Sequence, residues 1–184
     1  MLVSGHGSNL QALLDAGLPV AAVGSNRRDA YALIRARAAG IPTATFGLDC
    51  HAGREERDLV MATWLEGHHV ELVVLAGYMH LLTKPFLDRF PARIVNVHPS
   101  LLPAFPGAHA IEDALAAGVE TTGVTIHLAD EGLDTGPTLR QEAVAVEPRE
   151  TLEQRLHAVE HRLLPVVVRA MLHEESRARR RAAG

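Results

Sequence analysis

Ile94-Val95-Asn96-Val97-His98-Pro99-Ser100-Leu101-Leu102-Pro103 carries the pattern that decides how the chain is read: an apolar, strand-like run that ends on two chemically capable polar side chains. Residues two apart on a strand share a face, so Asn96 and His98 project to one side while Val95 and Val97 project to the other. Pro99 cannot donate to a ladder and biases His98 toward extended geometry, so the strand stops there and leaves His98 at its carboxyl end. In open parallel sheets, ligands bind at that end.

Outward from this stretch, short apolar runs alternate with helical patterns. Strands are expected at Met1 to Val3, Val20 to Val23, Thr43 to Phe46 and Leu72 to Leu75, with helices at Leu10 to Leu14, Ala30 to Ala39 and Arg54 to Leu65 between them. The run Leu72-Val73-Val74-Leu75 has no polar alternation and reads as a central strand buried on both faces. Beyond the Asn96–His98 strand, Ala110 to Ala117 reads as a helix. Thr122 to Leu128 and Pro137 to Val146 read as extended segments, the second antiparallel to its neighbour. Thr151 to Leu172 reads as a long helix that Pro165 should kink. This order predicts an α/β fold: an open, mostly parallel twisted sheet of Rossmann-like type, with helices on both faces and one antiparallel strand near the carboxyl end.

At 184 residues, 47% of them hydrophobic, the chain suits a single domain over 1–184 that buries a core without cross-links. No apolar run approaches the roughly 20 residues of a membrane span, and Met1-Leu2-Val3-Ser4-Gly5 lacks the regions of a signal peptide, so a cytoplasmic location is expected. Cys50 is the only cysteine, which excludes an internal disulfide and a cysteine-rich metal site. A net charge of −4 argues against nucleic acid as a partner, although residues 174–184 form a basic stretch that reads as a frayed tail. The sole lysine, Lys84, stands beside Pro85 in an expected loop and is a poor candidate for covalent chemistry.

Ser4-Gly5-His6-Gly7-Ser8-Asn9 lies between the first strand and the first helix, where glycines admit close approach and helix-start amides point outward with partial positive charge. A phosphate fits such a loop, and so does a plain turn in which Ser8 or Asn9 caps the helix. Leu10 stands where the dinucleotide fingerprint needs its third glycine, and the P-loop lysine is missing.

A second polar cluster runs from His127 to Pro137. Asp130 and Glu131 read as solvated turn residues, whereas Asp134, between Leu133 and a Gly-Pro turn, suits a carboxylate held at a fixed spot. If Asp134 reaches His98, it favours the imidazolium. An amide donor, an imidazole and an acid together stabilise an oxyanion and move one proton. No serine or cysteine is placed to attack, so the nucleophile comes from a substrate. Read singly, Asn96 and Asp134 are ordinary turn residues and His98 an ordinary bonded histidine.

With Asn96-Val97-His98-Pro99-Ser100-Leu101-Leu102-Pro103, Gly5-His6-Gly7-Ser8-Asn9 and Leu133-Asp134-Thr135-Gly136-Pro137 in this order, nearly the whole chain resembles the phosphoribosylglycinamide formyltransferase family of folate-dependent enzymes. The resemblance implies direct transfer of the formyl group of 10-formyltetrahydrofolate to the amine of glycinamide ribonucleotide, in purine synthesis, without a covalent enzyme intermediate. It implies that Asn96 and His98 hold the oxyanion and that Asp134 orients or charges His98 and helps route the proton. It also implies that Gly7, Ser8 and Asn9 hold the ribonucleotide phosphate and that Glu160 contacts the ribonucleotide. On the folate side it implies Arg54, Met79, His80, Leu81, Leu82 and Asp130, together with Asn96, and it calls for no metal. The family often has arginine where this chain has His80. A homodimer is left open. The first strand starts abruptly at Met1, shorter than the family's, which predicts weaker anchoring of the phosphate loop, and a small deletion before Thr151 shortens a surface loop.

Other enzymes that transfer or hydrolyse the formyl group share the Asn-x-His strand and the distant aspartate, so a formyltetrahydrofolate hydrolase or another folate-dependent formyltransferase is the alternative. A rival from another class is His157-Ala158-Val159-Glu160-His161, the H-x-x-E-H pattern of a zinc metalloprotease, which lacks a suitable third ligand downstream. A non-catalytic module that binds nucleotide or folate is the remaining reading.

Overall fold

A computed structural model describes residues 1–182, with side chains described through Glu174. The basic run expected as a frayed tail falls outside the described side chains. Seven strands form one sheet in the order β3-β2-β1-β4-β5-β6-β7. They are β1 (Leu2–Val3), β2 (Val23–Ser25), β3 (Thr43–Thr45), β4 (Val73–Ala76), β5 (Ile94–His98), β6 (Thr121–Leu128) and β7 (Thr138–Ala145). The first five pair in parallel, and β6 runs antiparallel to both β5 and β7. A single reversed strand near the carboxyl end is therefore what the sheet contains.

The helices are α1 (Ser8–Asp15), α2 (Tyr31–Ala38), α3 (Arg54–Gly67), α4 (Lys84–Leu87), α5 (Ala110–Ala117) and α6 (Leu152–Ala182). Two cores flank the sheet. Val74 and Ala76 of β4 pack with residues of α1, α2 and α6, while Val73 and Leu75 pack with Met61 and Leu65 of α3 and with Phe86. The unbroken apolar run of β4 thus serves both faces, as a central parallel strand does. On β5 the alternation places Val95 and Val97 in the first core and Ile94 in the second. Asn96 and His98 share the face of Ile94 but lie further along the strand, where they line an open cleft.

Two details depart from the sequence expectation. The second strand begins at Val23 rather than Val20, because its pairing is set by Leu2↔Gly24 on one side and Val23↔Thr43 on the other. Lys84 opens a one-turn helix instead of lying in a loop: Pro85 is tolerated in a first turn, Phe86 is fully buried, and Lys84 pairs with Asp88 at 2.7 Å. The last helix is the long element expected and runs through Pro165. The two-residue β1 is nonetheless held on both sides, by β2 and by β4. The chain leaves β1 toward β2 and returns to its other side at β4, so the carboxyl ends of β1 and β4 flank the switch point where such sheets bind ligands.

Candidate active site

The cleft at this switch point has a volume of about 390 Å³ and is walled by the segments that follow β1, β4 and β5 and by the loop after β6. Its centre is built on Asp134. This residue has a φ of 56°, in the left-handed region that aspartate tolerates better than most residues, and the turn aims its carboxylate back at β5. Asp134 Oδ1 accepts from Asn96 Nδ2 at 3.2 Å, and Oδ2 accepts from the Gly107 amide at 2.8 Å and faces His98 Nδ1 at 3.5 Å. His98 Nε2 lies 2.8 Å from the Phe105 carbonyl, which only accepts, so that nitrogen carries a proton. Burial pushes the Asp134 carboxyl up, but His127 beside it, the Gly107 amide and the facing His98 together outweigh burial and hold it below the usual aspartate range.

His127 is the residue that sequence reasoning passed over. It is buried, sits directly across from Asn96 in the β5–β6 pairing, and places Nε2 at 3.1 Å from Asn96 Nδ2 and 3.5 Å from Asp134 Oδ1. Its Nδ1 lies 2.9 Å from the Leu128 carbonyl and therefore carries a proton, while Nε2 faces both the Asn96 amide and the Asp134 carboxylate. The signal was present in Thr122 to Leu128, whose last residues must lie beside Asn96 once that strand is paired antiparallel to β5.

On one flank, Gly7 precedes α1 with a φ of 77°, and a side chain there would sit 2.5 Å from Ala32 Cβ, so helix and loop are as close as backbone permits. No side chain caps α1. Asn9 instead donates from Nδ2 to Glu160 Oε2 at 2.8 Å, tying α1 to α6 across the chain. The capping role considered for Ser8 and Asn9 is thus not taken, and Gly7, Ser8 and Asn9 at the start of α1 line the cleft. Burial pushes the Glu160 carboxyl above the usual glutamate range, against the pull of the Asn9 amide and of His157.

On the other flank, the segment Tyr78 to Leu82 lines the cleft and is fixed from behind. Ser4 Oγ accepts from the Met79 amide at 3.0 Å, Arg54 Nη2 donates to the Leu81 carbonyl at 2.7 Å, and Asp58 Oδ2 accepts from the Thr83 amide at 2.7 Å. Met79 and Leu81 stay exposed, 58% and 45%. Asp130 accepts from the Gly132 amide and Thr135 Oγ1, which shapes the loop leading to Asp134. All the residues expected on the folate side reach this wall except Arg54, which stands behind it and holds its backbone.

The H-x-x-E-H segment belongs to the same cleft, since His157 and Glu160 line it and Glu160 is turned onto Asn9. Among the described residues, no three histidine, cysteine, aspartate or glutamate side chains are grouped to hold a metal ion.

Such a cleft, with an amide, an imidazole and a carboxylate at its centre and a helix start at its edge, is matched at the level of class by the formyl transferase family, whose profile covers residues 1–168. The chain is 45% identical over 179 residues to the phosphoribosylglycinamide formyltransferase of Mycobacterium tuberculosis, covering 93% of this chain and 83% of that one. It is 37% identical over 183 residues to that of Bacillus subtilis, covering 94% and 93%. The crystal structure of phosphoribosylglycinamide formyltransferase from Bacillus halodurans superposes with a TM-score of 0.89 at 40% identity, covering 93% of each chain. The chain belongs to the phosphoribosylglycinamide formyltransferase family.

Proposed function

We propose that the protein transfers the formyl group of 10-formyltetrahydrofolate to the amine of glycinamide ribonucleotide, by direct attack and with Asn96, His98 and Asp134 as the catalytic residues. The observation that carries this reading is the convergence of these three side chains in one cleft, between an uncapped helix start and an exposed apolar wall. The amine nitrogen attacks the formyl carbon, a C–N bond forms, and the carbonyl electron pair moves to oxygen. Asn96 Nδ2 and the Nδ1 edge of His98 already face the two oxygens of Asp134, and the same two groups, with the His98 ring protonated on both nitrogens, stabilise the adjacent oxyanion. The Asp134 carboxylate, kept ionised by its hydrogen bonds, takes the proton that the amine loses. A proton passes through the Asp134–His98 pair to N10 as the C–N10 bond breaks, so atoms and charge balance.

Gly7, Ser8 and Asn9 receive the ribonucleotide phosphate on the amides of α1, where the helix dipole adds to the attraction. Glu160, fixed by Asn9, contacts the ribonucleotide beside it. Met79, His80, Leu81, Leu82 and Asp130 form the folate side, with Arg54 as its support. We place the reaction in the cytoplasm with two small-molecule partners. In keeping with that, the net charge is −4 and no helix among the described residues is long and apolar enough to cross a membrane.

Mixing the purified chain with glycinamide ribonucleotide and a chromogenic 10-formyl folate analogue, each omitted in turn, tests the proposal. Formyl transfer that needs both supports it. Release of formate when the amine is left out identifies a hydrolase instead.

A further inference from the structure

Behind the exposed wall of the cleft lies a buried ion pair that nothing in the transfer chemistry uses. Arg57 and Asp58, consecutive on α3, have fully buried side chains. Arg57 donates from Nε and Nη2 to Asp58 Oδ1 at 2.8 and 2.6 Å, and Asp58 Oδ2 accepts from the Thr83 amide at 2.7 Å. The remaining guanidinium nitrogen, Nη1, lies 3.0 Å from Nδ1 of His80. Taking a buried arginine and aspartate out of water is costly, and a hydrophobic pair of the same volume does as well for stability in many cores.

A guanidinium has donors and no lone pair to offer, so Nδ1 of His80 must be the acceptor in this contact. The ring then carries its proton on Nε2. We infer that His80 is a specificity-determining residue of the folate side, presenting an Nε2–H donor to an uncharged acceptor of the co-substrate, a carbonyl oxygen or ring nitrogen, and that Arg57 is the positioning residue that fixes this tautomer. The inference rests on the proposed use of the cleft for a folate.

The surroundings fit that chemistry. His80 lines the cleft between Met79 and Leu81, two exposed apolar side chains that offer a flat ring system its contact area. The backbone on either side is pinned by Ser4, Arg54 and Asp58, so the donor direction is set before a ligand arrives. Burial, then the Arg57 and Arg54 charges, lower the His80 pKa against the smaller opposite effect of Asp58, which keeps the ring uncharged at neutral pH. An uncharged donor discriminates by geometry instead of by attraction to any anion.

The test compares wild type with His80→Leu, His80→Gln and Arg57→Met. Glutamine keeps both an acceptor for Arg57 and a donor for the cleft. His80→Leu is expected to raise the KM for the 10-formyl folate analogue about tenfold, with kcat and the ribonucleotide KM nearly unchanged, and His80→Gln to recover most of that loss. Long-range proton–nitrogen NMR spectra of the wild-type protein should show the Nε2–H tautomer at His80, and Arg57→Met should mix the two tautomers. An unchanged folate KM in His80→Leu, a His80→Gln enzyme as impaired as His80→Leu, or an Nδ1–H tautomer in wild type would each overturn the inference. If Arg57→Met does not fold, the wild-type spectrum and the two His80 variants still decide. If wild type shows no formyl transfer, the proposed reaction fails separately; titration of the same variants with the folate analogue and the tautomer spectrum then decide the inference without turnover.

Discussion

Asn96 donates from Nδ2 to Asp134 Oδ1 over 3.2 Å, joining β5 to a loop 38 residues further along the chain. The bond fixes the carboxamide beside the imidazole of His98, at the place where charge would develop on the formyl oxygen. Asn96→Ala removes one oxyanion donor and leaves the fold, whose cores do not include this residue, in place. Turnover should fall by about a hundredfold or more, the size seen when a donor of this kind is lost. Single-turnover rates with saturating substrates measure it, and a rate within a few-fold of wild type would contradict the assigned role.

Asp134→Asn keeps the shape of the side chain and a carbonyl oxygen for the Gly107 amide, but it removes the charge facing His98. A loss of turnover comparable to that of Asn96→Ala is expected, with the affinity for both substrates largely kept. In wild type the carboxyl lies below the usual aspartate range, so the active, ionised form should persist as pH falls and be lost only on passing that lowered value. The acid limb of the kcat/KM profile should therefore lie at low pH in wild type and change in the variant. Superimposable profiles would show that the Asp134 proton does not govern the rate.

How much of this arrangement the sequence disclosed depended on whether local pattern or distant pairing controlled each residue. The alternation at Val95, Asn96, Val97 and His98, with Pro99 as terminator, is a local signal, and it located both the strand end and the faces of its side chains. The Asp134 turn was legible from Leu133 and the Gly-Pro that follows it. The role of His127 was not, because it depends on the antiparallel register that sets it opposite Asn96. The same holds for the grip of Arg57 on His80, which joins α3 to the segment after β4, and for the link between Asn9 and Glu160, 151 residues apart. The α4 turn was missed because Pro85 reads as a breaker, whereas the burial of Phe86 stabilises a short helix started by that proline.

Ser8 and Asn9 are predicted to act on one substrate and not the other. Replacing both by alanine removes two side chains at the mouth of α1 while the helix amides remain. The ribonucleotide KM should rise about tenfold or more, the folate KM should stay near its wild-type value, and the effect should weaken as salt screens the phosphate. The single Asn9→Ala change should account for more of the rise than Ser8→Ala, because it also frees the Glu160 carboxylate that Asn9 holds at 2.8 Å. A shift confined to the folate KM would move the phosphate away from α1.

Glu160 links the site to stability with a sign that can be worked out. The residue is 5% exposed and its folded-state carboxyl titrates above the ordinary glutamate value of 4.5, with burial as the leading cause. For a group whose pKa is raised on folding, the stabilising contribution is complete below the unfolded value and is lost as pH rises through the folded one. Glutamine is nearly isosteric, keeps an oxygen for the Asn9 amide and does not titrate. The melting temperatures of wild type and Glu160→Gln should accordingly coincide near pH 4 and separate as pH rises, the variant gaining a few degrees by pH 8. The same variant should bind the ribonucleotide less well, since it has lost the charge that faces the cleft. Parallel melting curves across the whole pH range would mean that burial does not penalise the ionised carboxylate, and with that the account of Glu160 as a buried carboxyl held by Asn9 at the ribonucleotide site would fall.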